Sequence, residues 1–289
     1  MNSTLKLWTT LGLGTALAGG LLSACGGEAG EGAGTAAVAP GEGGAAAGEG
    51  GGEGEGGAGG EGTGGEAAGG EGEGGVAVAD AATDPVAYGI ALAVTEAHVV
   101  AARDAYVAGK KEAAAEMFAH PAAEVLVEMD PVFAKLGVAD FKPLLTAAST
   151  AASEGKSAAE VGKAYDAIIA ALRGAAKKAP GGGASEAKTA AAIIADQIER
   201  AGAMYRLIAK DDRYEPYLDG YGFAKVAQSA FATSGAAIKA DNPAAHARIT
   251  EALATLGKAY PTATRPTSLA IEQGAVSAAS SKVMLALGS

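Results

Sequence analysis

Residues 26–75 are almost wholly Gly, Ala and Glu, interrupted by Thr35, Val38, Pro40 and Thr63, with no aromatic side chain and no Lys or Arg. No other feature constrains the fold as much. A segment with one branched apolar residue cannot bury enough surface to offset its chain entropy, so it is expected to be disordered. Residues 76–289 are long enough for one single-core domain. The net charge of −11 divides unevenly: ten glutamates lie in the low-complexity segment and Lys6 precedes it, which leaves about −2 for the rest. A near-neutral domain without a basic stripe argues against nucleic-acid binding, which needs Lys and Arg to neutralise phosphates.

Upstream, residues 1–24 read as a secretory signal. Lys6 is followed by the apolar, small-residue run "LWTTLGLGTALAGGLLSA", too short and Gly-rich for a comfortable membrane span. The single cysteine of the chain, Cys25, follows Leu22-Ser23-Ala24. That junction resembles the bacterial lipobox, which implies cleavage before Cys25, diacylation of its thiol and acylation of the new amino terminus. Membrane lipid is then the first partner, because stable anchoring needs more than one acyl chain. Gly26, rather than Asp, favours an outer-membrane position facing the periplasm in a cell with two membranes. Residues 25–79 become a Gly/Ala/Glu tether with a reach of roughly 40 Å. A lone cysteine excludes an intrachain disulfide and a thiolate metal cluster.

Residues 80–289 read as all-α, an antiparallel helical bundle. Asp84 as N-cap, Pro85 at the first helical position and Gly109 as a stop frame a long helix in which Val86, Ile90, Val94, Val99 and Tyr106 recur with helical spacing. A short helix over 111–119 is expected to end at His120-Pro121, with Pro121 opening the next and Pro131 kinking or breaking it. Further helices are expected over 140–153, 157–178, 185–209, 219–240, 242–260 and 267–287. "APGGGAS" at 179–185 is the one strong internal break, either a loop between hairpins or a boundary between two sub-bundles. No alternating apolar run with hairpin turns points to a sheet.

Two constellations carry candidate chemistry. In "HPAAEVLVE", His120, Glu124 and Glu128 are spaced four apart, so a helix starting at Pro121 brings them toward one stripe. Imidazole and carboxylate on adjacent turns suit a metal ion in a helical bundle, and His98 on the preceding helix is within reach of an antiparallel neighbour. The same residues equally suit a helix start and a solvated face. In the second stretch, 196–227, Tyr205, Tyr214, Tyr217 and Tyr221 are half of the eight tyrosines of the chain, interleaved with Glu215 and Asp219. That mixture suits a hard-cation site or a polar pocket, and equally the structural use of tyrosine where helices cross. The chain contains no Gly-x-Ser-x-Gly, no His-Glu-x-x-His and no phosphate-cradling glycine loop, so no enzyme is expected.

The segments "EAHVVAARDAYVAGKKEAAAEMFAHPAAEV" and "YEPYLDGYGFAKVA" resemble helical envelope domains associated with bacterial iron permeases and, more distantly, imelysin-like proteins. The resemblance implies His98, His120, Glu124 and Glu215 as candidate metal ligands. The imelysin pattern Gly-x-His-x-x-Glu is not met, since Glu96 and Ala101 stand at its outer positions. The expectation is a lipid-anchored envelope protein whose helical domain binds iron or another divalent metal, with an envelope transport protein as candidate partner. The alternative is a non-catalytic interaction or scaffold lipoprotein without metal.

Overall fold

The computed structural model describes residues 78–288. The signal segment, Cys25 and the tether up to residue 77 lie outside the described residues. Among those described there are helices and no strands, so the domain is an all-α bundle.

Helix α1 (Pro85–Val107) starts as its sequence demands: the Asp84 carboxylate accepts from the Val86 N–H at 2.8 Å, and Pro85 occupies the first turn, where its missing N–H is not needed. It is the central helix of the fold, buried without a break from Ala91 to Val99, and packs on α2, α3, α5, α6 and α7. Its middle carries buried polar side chains, Thr95, Glu96 and His98.

Around it run α2 (Lys111–Ala123), α3 (Val125–Leu136), α4 (Lys142–Ser153) and α5 (Ala158–Ala176). The α5 start is a capping box, in which Ser157 and Glu160 satisfy each other's backbone N–H groups. On the far side of the 177–185 loop come α6 (Glu186–Ile208), α7 (Glu215–Asp241), α8 (Pro243–Ala259) and α9 (Gln273–Gly288). Helix α6 touches α7, α8 and α9, α8 touches both α7 and α9, and the four form a bundle packed on α1 through α6 and α7.

Three helix boundaries differ from expectation. Helix α2 continues through Pro121 to Ala123, and the break falls at Glu124, so Pro121 opens no new helix. Helix α7 begins at Glu215 rather than at residue 219, because Pro216 stands in its first turn, where proline starts a helix instead of ending one. Helix α9 begins at Gln273 rather than at 267. The Tyr214 and Tyr217 hydroxyls donate to the Ala263 and Thr262 carbonyls, and Tyr205 donates to Ile271, which holds this stretch as an extended strap over the bundle. Arg265 fastens it again on the Ile208 and Asp211 carbonyls.

Two glycines set how closely α7 seats. A Cβ on Gly222 would stand 2.3 Å from the Ala97 carbonyl oxygen of α1, and one on Gly220 would stand 2.1 Å from the Tyr260 hydroxyl. The backbones of α1 and α7 meet at Gly222 with no side chain between them. Gly222→Ala is therefore expected to destabilise the domain by about 1–3 kcal/mol. Gly162→Ala, inside α5 with open space around it, is expected to be neutral or to stabilise by about 0.5–1 kcal/mol. Urea unfolding of the two variants beside the parent chain checks both signs.

Candidate functional site

The seam between α1 and α7 brings two histidines and two carboxylates together. His98 projects from the middle of α1. Glu215, Asp219 and Phe223 lie four apart along one face of α7 and run past it. The His98 Nε2 stands 3.4 Å from Asp219 Oδ1, both side chains almost wholly buried at 2% and 1% exposure. The Phe223 ring packs edge-on against His98 with centroids 5.9 Å apart. From the last turn of α2, His120 places its ring 6.2 Å from that of His98 and its Nε2 3.5 Å from Glu215 Oε1, at 24% and 41% exposure.

The hydrogen bond on the far side of His98 fixes its tautomer. Nδ1 lies 2.8 Å from the Val94 carbonyl, an acceptor only, so Nδ1 carries the proton and donates. In the neutral ring Nε2 then presents its lone pair toward Asp219. Burial lowers the His98 pKa from 6.5 to about 4; the bond to Val94 opposes this, while the positive charges of His120 and Arg200 add to the lowering. Arg200 itself is held on α6 by Asp196 at 2.8 Å.

Of the sequence-derived candidates, His98, His120 and Glu215 converge. Glu124 and Glu128 do not join them. Glu124 sits at the break between α2 and α3, Glu128 on the outer face of α3, and both are exposed. The stripe expected of His120, Glu124 and Glu128 required one helix starting at Pro121, and the junction at Glu124 interrupts it. The tyrosine-rich stretch is structural: the hydroxyls of Tyr205, Tyr214 and Tyr217 donate to backbone carbonyls, and that of Tyr221 to Asp104. Burial lifts Tyr217 to about 12 and Tyr221 higher still, which keeps both phenols protonated. Sequence reasoning placed Asp219 among the tyrosines rather than with the histidines, and so missed its place at this site. The signal was its four-residue spacing from Glu215, hidden while α7 was read as starting at 219.

A paired donor set is what the arrangement offers: two imidazoles and two carboxylates, one pair buried and one half-exposed. Among the described residues, no group of three or more His, Cys, Asp or Glu side chains is gathered closely enough to hold a metal ion as it stands.

Residues 214–287 match the iron permease-associated 4-helix bundle domain family. The match begins just before α7 and ends in α9, so it contains Glu215 and Asp219 but neither histidine. It covers about a quarter of the chain. No curated protein and no solved structure matches the chain.

The low pKa of His98 has a defined sign. Between pH 6.5 and about 4 the unfolded chain takes up a proton at this histidine that the folded ring refuses. Its contribution is fully present above pH 6.5 and lost as the pH falls toward 4, by an amount on the order of 3 kcal/mol. Urea unfolding at pH 7, 6 and 5 is expected to show the parent chain losing stability faster than His98→Gln. Equal losses would show that His98 titrates as it does in the unfolded chain.

Proposed function

We propose that the helical domain binds a divalent metal cation, iron foremost, at the α1–α2–α7 junction, and that it works in the cell envelope beside an iron permease. The observation that carries this reading is the pairing of His98 with Asp219 and of His120 with Glu215 on adjoining turns. A neutral imidazole lone pair facing a carboxylate is electrostatically complete only with a proton or a cation between them. The Nδ1 bond to a backbone carbonyl is also the support that orients a ligating histidine. Two ligands of one four-coordinate ion with bonds of roughly 2.0–2.1 Å stand about 3.3 Å apart, close to the 3.4 and 3.5 Å separations within the two pairs.

His98 and Asp219 would be the fixed half of the site, and His120 and Glu215, nearer solvent, the half that closes on the ion. The match to an iron permease-associated domain supports iron as cargo and a permease as the neighbouring protein. The ungathered donors favour the second reading, an interaction module without metal.

Fe(II), added anaerobically, and Zn(II) separate the two readings. At a hundredfold excess over Kd, one bound ion adds about 2.7 kcal/mol to the stability of the parent chain, which reads out as a raised melting temperature. Asp219→Asn is expected to lose most of that shift, whereas Glu128→Gln keeps it. No shift with either metal would refute binding.

We further propose that Cys25 is the acylated first residue of the mature protein, so that the domain is tethered to membrane lipid, on the periplasmic face of the outer membrane where a cell has two. No catalytic role is assigned. Mass spectrometry of the mature amino terminus is expected to find diacylglycerol on the Cys25 sulfur. An unmodified thiol would leave the domain without this anchor.

A further inference from the structure

On the opposite side of α1 from His98, a cleft of about 310 Å³ opens between α1, α5 and the start of α6. Its deep wall is apolar: Leu92, Leu172 and Ile193 line it, each less than a tenth exposed. Tyr88 also lines it and is tied to the Ala175 carbonyl of α5 at 2.8 Å. Midway, Glu96 and Arg173 form a two-pronged ion pair, both contacts 2.6 Å, which presents a polar edge to the cavity. Gly181 and Gly182 form part of the rim. Gly182 lies directly on the first turn of α1, where a Cβ would stand 2.6 Å from Pro85. Neither glycine adds a side chain to the opening.

The charges around this cleft are not equivalent. Glu96 already engages Arg173. Lys177, the capping residue just past the end of α5, lines the mouth, is exposed, and makes no ion pair with any described residue. The first turn of α6 also borders the cleft, and its N-terminal peptide dipoles favour negative charge there. The Glu186 carboxylate at that turn is the only opposing charge at the rim among the lining residues. The cavity volume falls in the range of small-molecule sites, with an apolar interior and a few polar groups placed to orient a ligand.

We propose that this cleft is a second binding site, distinct from the histidine–carboxylate junction, for a small amphipathic anion. Its apolar body packs on Leu92, Leu172 and Ile193, and its carboxylate or sulfonate pairs with Lys177 at the mouth. The site does not depend on metal.

Two probes that share one ring skeleton test it on the full chain: anilinonaphthalene sulfonate, and phenylnaphthylamine, which lacks the anion. Fluorescence titration is expected to give one saturable site, tighter for the sulfonate by about two- to fivefold, the contribution of an exposed charged contact. Lys177→Glu, on an exposed position, should abolish that preference. Ala176→Leu, which intrudes on the cleft, should weaken both probes, with helical circular dichroism confirming that each variant is folded. Absence of a saturable site overturns the proposal. So does equal affinity for the two probes, or sulfonate binding that Lys177→Glu leaves unchanged.

Discussion

The contact between Gly222 and the Ala97 carbonyl governs the rest of the domain. With no Cβ at 222, α7 lies against α1 backbone to backbone, and the residues flanking that point are forced into register. Asp219, one turn before Gly222 on α7, lands on His98, one residue beyond Ala97 on α1. Phe223, beside the glycine, closes over the imidazole. On the other flank of α7, Gly220 makes room for Tyr260, whose hydroxyl reaches the Ala201 carbonyl of α6. A pair of glycines two residues apart thus sets α7 against α1 on one flank and against Tyr260, at the end of α8, on the other. The geometry of the polar pair is a by-product of how closely the helices approach.

Elsewhere many of the core side chains are small, and buried tyrosines add long-range polar anchors to the apolar packing. Alanines fill much of the interior, and alanine loses no side-chain entropy on burial, although it also gives little shape specificity. Tyrosines provide that specificity. Tyr88, Tyr205, Tyr217 and Tyr260 are wholly buried, and each donates its hydroxyl to a backbone carbonyl more than 40 residues away in sequence. Each one therefore fixes a helix to a particular point on a distant segment, and the strap between α8 and α9 exists because several of them converge on it.

The all-α class, the start of α1 and most helix limits were legible because their determinants are local: a capping aspartate, a proline at the first turn, an apolar period. The resemblance offered His98, His120, Glu124 and Glu215 as a set, and the structure brings all but Glu124 together. What sequence could not supply was long-range. Whether Pro216 ends a loop or begins a helix depends on the packing of α7 against α1, and that choice decides whether Glu215 and Asp219 share a face. Glu124 and Glu128 joined His120 on four-residue spacing alone. That stripe fails because the helix breaks at Glu124, and no periodicity records such a break. The stretch from 267 to 272 has ordinary helical composition. Hydroxyls from Tyr205, Tyr214 and Tyr217, some fifty residues or more upstream, hold the strap that leads into it.

Among the described residues, α1 is also the helix long and apolar enough to cross a bilayer, with 72% of its most apolar window inside the protein. Glu96 is the middle residue of its twenty-three, and His98 stands two places on. A charged side chain at the centre of a spanning helix costs about 3 kcal/mol on insertion. The glutamate that anchors Arg173 thus places that cost at the midpoint of α1. The residues that give this helix its chemistry on two faces are also those that bias it against lateral escape into lipid, toward the core of a folded domain.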